Sequence, residues 1–196
     1  MNKTFTRGSG LLESFLVKQR AKKANSLIKD IHRKGRILDI GCGFYPYFLA
    51  NTSFKEKYGI DPSLILTNGI NGIHLKASDI TKQKFPFKEN YFDTITMLAV
   101  FEHIDHEKLQ FTLKEIKRIL KINGTFILTT PASWSDKILH LMSEVNLISK
   151  EEIHEHKHNH SHEKIRDILI EAGFEKSKIK NGFFEAYMNM WFEITK

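Results

Sequence analysis

The chain predicts a doubly wound α/β fold, a mostly parallel sheet with helices on both faces. Two observations carry this. Short apolar runs recur at intervals with helical stretches between them, which is the pattern of parallel strands joined by crossover helices. Every residue constellation with chemical character then falls at the end of one of those runs, where such sheets bind ligands.

The expected strands are Arg36–Ile40, Lys57–Ile60, Gly72–Lys76, Phe92–Leu98 and Thr125–Thr130. The clearest helix is Glu107–Ile122, where Leu109, Leu113, Ile116, Ile119 and Leu120 recur with helical period and Asn123-Gly124 supplies a stop. Ahead of the first strand, Leu12, Phe15, Leu16, Ala24, Leu27, Ile28 and Ile31 mark one or two amphipathic helices, with Lys18, Arg20, Lys22 and Lys23 mostly on the wet side. Late in the chain, Lys164–Ala172 reads as a short helix stopped by Gly173, and Phe183–Lys196 as one or two aromatic-rich strands. The expected organisation is one domain over 1–196, with 1–35 an N-terminal helical cap and 132–163 a lid-like insertion.

At 196 residues, 41% hydrophobic and 27% charged, the composition is that of an ordinary globular domain. The net charge of +7 raises nucleic acid or an anionic membrane as partners. The lysines are scattered among acids, with no dense basic run interleaved with aromatics, so nucleic acid is disfavoured. The basic helical face leaves peripheral membrane contact open. Cys42 is the single cysteine, which excludes an internal disulfide and fits a reducing compartment. The opening MNKTFTRGSGLLESFLVKQR has no apolar stretch of signal length, and no apolar run reaches membrane-span length. The expected location is the cytoplasm.

The stretch ILDIGCGFYPYF, residues 37–48, opens the chemistry. An apolar run ends in Gly41-Cys42-Gly43, two glycines that let the backbone turn sharply and approach a ligand closely. Asp39 lies just before the turn. Asp61, in GIDPS with Pro62, closes the second strand, at the spacing where a carboxylate accepts from ribose hydroxyls. Asp79, followed by Ile80 in KASDI, closes the third strand, where it would accept from an adenine amino group while Ile80 covers the ring. Each acid also has a plain structural reading: Asp61 as a turn residue before Pro62, and Asp79 as an N-cap.

These segments resemble the class I S-adenosylmethionine-dependent methyltransferases, of the small-molecule type with a Glu-His pair after the fourth strand. LDIGCG, GIDPS, ASDI and FDTITMLAVFEHI are similar to that family's first four motifs. LKEIKRILKINGTFILTTP is similar to its next helix and fifth strand, and EKIRDILIEAGFE to its late helix. The resemblance covers about Arg36 to the C-terminus. It implies a Rossmann-like sheet of seven strands, mostly parallel, with an antiparallel C-terminal strand. S-adenosyl-L-methionine would be the cofactor and S-adenosyl-L-homocysteine the product. Asp39, Gly41, Cys42, Gly43, Asp61, Pro62, Asp79, Ile80 and Leu98 would line the cofactor. Glu102 and His103 would face the acceptor, with His103 the candidate general base; packing at the start of a helix is the alternative for that residue.

One departure is the run Phe44-Tyr45-Pro46-Tyr47, where a nicotinamide-binding turn needs a third glycine for its pyrophosphate. The aromatics either wall the methionine portion and its sulfonium or pack at the sheet edge. A further oddity is HEHKHNHSH, which puts His154, His156, His158, His160 and His162 in alternation. It could take up a metal adventitiously, cover the site, or stay a solvated loop; a resident metal is not expected, because no cysteine or aspartate joins it. The partner expected is a small-molecule acceptor with a hydroxyl or carbon nucleophile: a lipid, a sugar or a natural product. An RNA methyltransferase and a non-catalytic S-adenosylmethionine-binding protein are the alternatives, and the oligomeric state is open.

Overall fold

The computed structural model describes residues 13–64, 72–132, 134 and 161–196. In chain order these form α1 (Glu13–Leu27), β1 (Arg36–Ile40), α2 (Tyr47–Ala50), β2 (Glu56–Asp61), β3 (Ile73–Ala77), β4 (Phe92–Leu98), α3 (His106–Ile119), β5 (Leu120–Pro131), α4 (His162–Glu171), β6 (Ile179–Phe184) and β7 (Asn189–Thr195). Short 3-10 turns stand at Asp30–Lys34, Phe101–His103 and Lys176–Lys178. The seven strands form one sheet in the order β3-β2-β1-β4-β5-β7-β6. Pairing is parallel from β3 through to β5, and β7 runs antiparallel to both β5 and β6. The sheet reverses its order of travel on either side of β1 and β4, so their carboxyl ends form the switch-point crevice.

Side-chain alternation divides the strands between two apolar layers. Leu38, Ile40, Ile95, Met97, Phe126 and Leu128 face one way and meet Leu109, Leu113 and Ile116 of α3 and Ile165, Ile168 and Leu169 of α4. Ile37 and Ile127 face the other way, against Ala21, Ala24 and Ile28 near α1 and Phe48 and Leu49 of α2. Helices therefore cover both faces, as the strand pattern requires.

Several boundaries and exposures differ from the sequence reading, and the largest differences have physical reasons. α3 ends at Ile119 rather than Ile122, because Leu120 is drawn into the sheet opposite Phe92 and is fully buried. Asn123 does take a left-handed φ of 62°, yet it does so in an irregular stretch of β5 between Leu120 and Thr125. The Asn-Gly signal was a turn inside a strand, not a helix stop. The C-terminal strands begin earlier than Phe183, since β6 starts at Ile179. At the N-terminal side, Ile31 is exposed because the helix breaks after Leu27 and the following 3-10 turn changes the phase. Phe15 is likewise exposed, while Leu16, Ala24 and Ile28 carry the buried stripe. Leu12, most of the 132–163 segment and His154 to His160 lie outside the described residues.

α4 shows how local sequence sets an element. Ser161 caps it, its hydroxyl accepting from the Lys164 N–H at 3.3 Å. At the other end Gly173 has φ 94°, its N–H bonds the Ile170 carbonyl at 2.8 Å and the Phe174 N–H reaches Leu169 at 3.1 Å. That pair of bonds is the Schellman arrangement, which needs a left-handed residue at Gly173. A Cβ there would meet chiefly the flexible end of Lys117. Gly173→Ala is therefore expected to cost about 1–2 kcal/mol from backbone strain alone, read as a lower urea midpoint with unchanged slope.

Candidate functional site

The site is built from the carboxyl ends of β1, β2, β3 and β4. β1 runs into Gly41 and Gly43, with φ of 73° and 72°. The Gly41 N–H bonds the Ile60 carbonyl at 2.8 Å, which folds the turn over the end of β2. The two glycines are needed for different reasons. A Cβ on Gly41 would stand 2.2 Å from Val100 Cγ2, whereas one on Gly43 would meet nothing within 4 Å. Gly41 makes room for the protein, and Gly43 opens onto space a ligand can enter.

Asp61 holds the turn in place. Its Oδ2 accepts from the Gly43 N–H at 3.0 Å, and its Oδ1 accepts from the Ser63 N–H at 2.7 Å and from the Ser63 hydroxyl. The local bond to Ser63 is the turn role its place before Pro62 suggested. The bond to Gly43 ties the second strand's acid to the first strand's turn. Pro62 itself is exposed beside it. The end of β3 joins the same centre, because the Ser78 N–H bonds the Asp61 carbonyl at 3.3 Å.

Asp39 lies beneath the turn, 4% exposed, and accepts from Thr96 Oγ1 of β4 at 2.6 Å. Burial pushes its carboxyl up to about 7, opposed by the Thr96 hydroxyl and assisted by the negative charge of Asp61. Cys42 is buried in the α1-side layer, and burial with the nearby Asp39 and Asp61 raises its thiol. Its side chain therefore packs inward, leaving only its backbone to face a ligand.

Asp79 is more exposed and better neutralised. Lys82 Nζ lies 2.9 Å away, and Thr81 donates through its N–H at 3.0 Å and its hydroxyl at 2.7 Å. Lys82 first, then Thr81, hold the Asp79 carboxyl down to about 2. These bonds close a local turn rather than cap a helix, since no helix stands between β3 and β4, and Ile80 beside Asp79 is buried in the core. Of the aromatics in the turn, Phe44 is exposed, Tyr47 packs on the α1-side layer, and Pro46 is buried where a third glycine would stand.

β4 ends at Leu98, packed against the α1-side layer. Ala99 then takes φ 55°, its N–H bonded to the Thr129 carbonyl at 2.9 Å. A left-handed alanine is a strained conformation of the kind held at functional sites. The next turn corrects one expectation. Glu102 does not face an acceptor: it is 2% exposed and receives Thr130 Oγ1 of β5 at 3.0 Å. It anchors the turn from inside, and His103 follows it half-buried, its N–H on the Val100 carbonyl at 3.0 Å. At the far end of the histidine run, His162 opens α4, its Nε2 3.2 Å from the Gly182 carbonyl and its ring against Phe183 and Phe192. Among the described residues no three His, Cys, Asp or Glu side chains converge as a metal site would need.

Thr96, Val100, Ser63 and Thr130 were not singled out by the sequence reading. Thr96 carried a signal, since Thr94 and Thr96 alternate with apolar Ile95 and Met97 on a strand buried on both faces. The others act through contacts that only the fold brings together.

A family model described as a methyltransferase domain matches residues 14–179. The chain belongs to that family. Class I S-adenosylmethionine-dependent methyltransferases share this fold, and S-adenosylmethionine is the family's cofactor. The residues fit that molecule: Gly43 leaves open space, acids close the second and third strands, and a buried carboxyl below the turn suits a ligand that carries positive charge. An uncharacterized protein of Methanocaldococcus jannaschii is 37% identical over 93 residues, 46% of this chain and 38% of that protein. The match thus spans well under half of that relative's length. Among solved structures, a chain from the Haloferax volcanii complex containing the Trm112 methyltransferase activator superposes with TM-score 0.70 at 15% identity, covering 93% of this chain and 92% of that one. A SAM-dependent methyltransferase from Archaeoglobus fulgidus gives 0.67 at 17%, covering 93% and 94%. At those identities the likeness is one of fold.

In this methyltransferase, Gly41→Ala is expected to cost about 2–5 kcal/mol, from left-handed strain plus overpacking against Val100. Gly43→Ala should cost only the strain, about 1–2 kcal/mol, while weakening S-adenosylhomocysteine binding; denaturation and calorimetry separate the two. For Asp39, the folded carboxyl near 7 binds a proton that the unfolded chain, near 3.8, has already released. Its contribution to stability is therefore present at low pH and falls as pH rises from about 4 through about 7. The urea midpoint of wild type relative to Asp39→Asn should drop across that window, and a pH-independent difference would contradict the assignment.

Proposed function

We infer that this chain transfers a methyl group from S-adenosylmethionine to a small or medium-sized acceptor, at a hydroxyl or carbon centre of a lipid, sugar or natural product. The observation that supports it most is the Asp61 carboxylate, bonded to the Gly43 N–H at the mouth of the crevice. In folds of this kind a carboxylate at the end of the second strand accepts from ribose hydroxyls.

When bound, S-adenosylmethionine supplies an electrophilic methyl on a sulfonium sulfur. The chain's work is orientation and, for a hydroxyl acceptor, removal of a proton. Asp61 orients the ribose, Asp79 and the backbone of Ile80 take the adenine, and the backbone of Gly41, Cys42, Gly43 and Leu98 lines the methionine side. Asp39, whose carboxyl burial raises to about 7, lies below the turn, where an arriving sulfonium would favour its charged form. His103 is the base, its imidazole carrying a ring nitrogen that can accept the acceptor's proton. Glu102 is a positioning residue: its bond to Thr130 fixes the turn that carries His103.

Folded Asp61→Ala should bind S-adenosylhomocysteine more weakly by about 1.5–3 kcal/mol, the scale of hydrogen bonds to a charged group; unchanged affinity would remove Asp61 from the ribose role. With radiolabelled cofactor and a panel of hydroxylated lipids and sugars, His103→Ala should lower kcat by about 10²–10⁴ with little change in KM. Full turnover by that variant would eliminate the base.

A further inference from the structure

A second cavity lies on the α1 side of the sheet. A groove of about 540 Å³ runs between α1 and the β6–β7 hairpin. Phe15, Leu16, Phe184, Ala186 and Met188 line it with apolar surface, and Lys22 and Lys23 contribute cations. Its size falls in the range of small-molecule sites. Phe15, 52% exposed, is a large apolar side chain that the core does not use, and the groove accounts for its position.

The topology puts this groove beside the acceptor turn. β6 ends at Phe184, β7 starts at Asn189, and Asn189 pairs with Pro131 at the carboxyl end of β5. The Ala132 N–H bonds the Met188 carbonyl at 2.8 Å. Two residues earlier, Thr130 holds Glu102, the neighbour of His103. The hairpin wall and the turn after β4 are thus fastened to the same three residues of β5 and its exit.

The hairpin is also strained. Glu185, Ala186 and Tyr187 have φ of 51°, 50° and 68°, three successive left-handed residues that are not glycine. Such conformations cost about 1–3 kcal/mol each and cluster at ligand sites. Glu185 Oε2 accepts from Asn189 Nδ2 at 2.5 Å, while its buried Oε1 has no hydrogen-bond partner among the described residues. Burial raises the Glu185 carboxyl, against the lowering pull of Arg20 and the Asn189 amide, and Lys22 and Lys23 bring two cations to the same groove. Lys23 Nζ stands 4.3 Å over the Trp191 ring, and Lys22 is exposed.

We propose that this groove is the acceptor site and that its occupant is a single-chain anionic amphiphile. The apolar body lies along Phe15, Phe184 and Met188, and the acidic head is held by Lys22. The assignment rests on the methyl-transfer reading for the word acceptor, but the binding of such a molecule does not. Three probes, dodecanoate, dodecanol and dodecyltrimethylammonium, are titrated calorimetrically into the full chain below their micelle concentrations, with S-adenosylhomocysteine titrated separately. Dodecanoate should bind at least about tenfold more tightly than the other two, the scale of one charge-assisted contact. Lys22→Glu should abolish that preference, Phe15→Ser should weaken all three probes, and both variants should retain wild-type affinity for S-adenosylhomocysteine. Equal binding of the three heads, no binding, dodecanoate affinity unchanged in both variants, or association only with phosphatidylglycerol vesicles would each overturn the proposal. Loss of S-adenosylhomocysteine binding in wild type would instead sink the methyl-transfer reading and leave the groove result standing.

Discussion

The left-handed turn at Gly41–Gly43 is the constraint on which the rest of the site depends. It ties the end of β1 to the end of β2, because the Gly41 N–H bonds the Ile60 carbonyl. It also fixes the segment after β4, since Val100 occupies the space that a side chain on Gly41 would need. Asp61 completes the lock through Gly43 and Ser63. Three strand ends are thereby held at one level, and a ligand meets backbone rather than side chains at their centre.

Beneath that level runs a line of buried polar contacts. Asp39 is joined to Thr96 across β1 and β4, and Glu102 to Thr130 across the turn and β5. At Asp39, burial disfavours the charge of the carboxyl unless hydrogen bonds or an incoming cation offset the cost. This explains why the crevice suits a sulfonium nucleoside better than a dinucleotide. Its acids are concentrated where positive charge would arrive, and Pro46 stands where close pyrophosphate approach needs a glycine. Methyltransferase family membership and the chain's own electrostatics point the same way.

Much of this was legible in the sequence. β1 and β4 were bounded correctly because each is an apolar run flanked by unambiguous signals, and the glycine turn and three strand-end acids were found by position alone. What sequence could not give was the direction of side chains whose partners are remote. Glu102 looked like half of an acceptor-facing pair, and its burial depends on Thr130, 28 residues away. Asn123-Gly124 looked like a helix stop because local periodicity carried through Leu120, yet pairing with Phe92 took that residue into the sheet. Phe15 fitted the apolar stripe of a helix but faces a groove made by a hairpin at the opposite end of the chain. In each case a long-range contact outweighed a local preference.

The identity of the molecule that enters the crevice above Gly43 decides between these readings. Parallel calorimetric titration of the whole chain with S-adenosylhomocysteine and NAD tests this most directly. Saturable binding of S-adenosylhomocysteine, with no heat from NAD, is the result expected of an acid-rimmed turn that lacks a third glycine. Binding of NAD alone, or of neither, would contradict it.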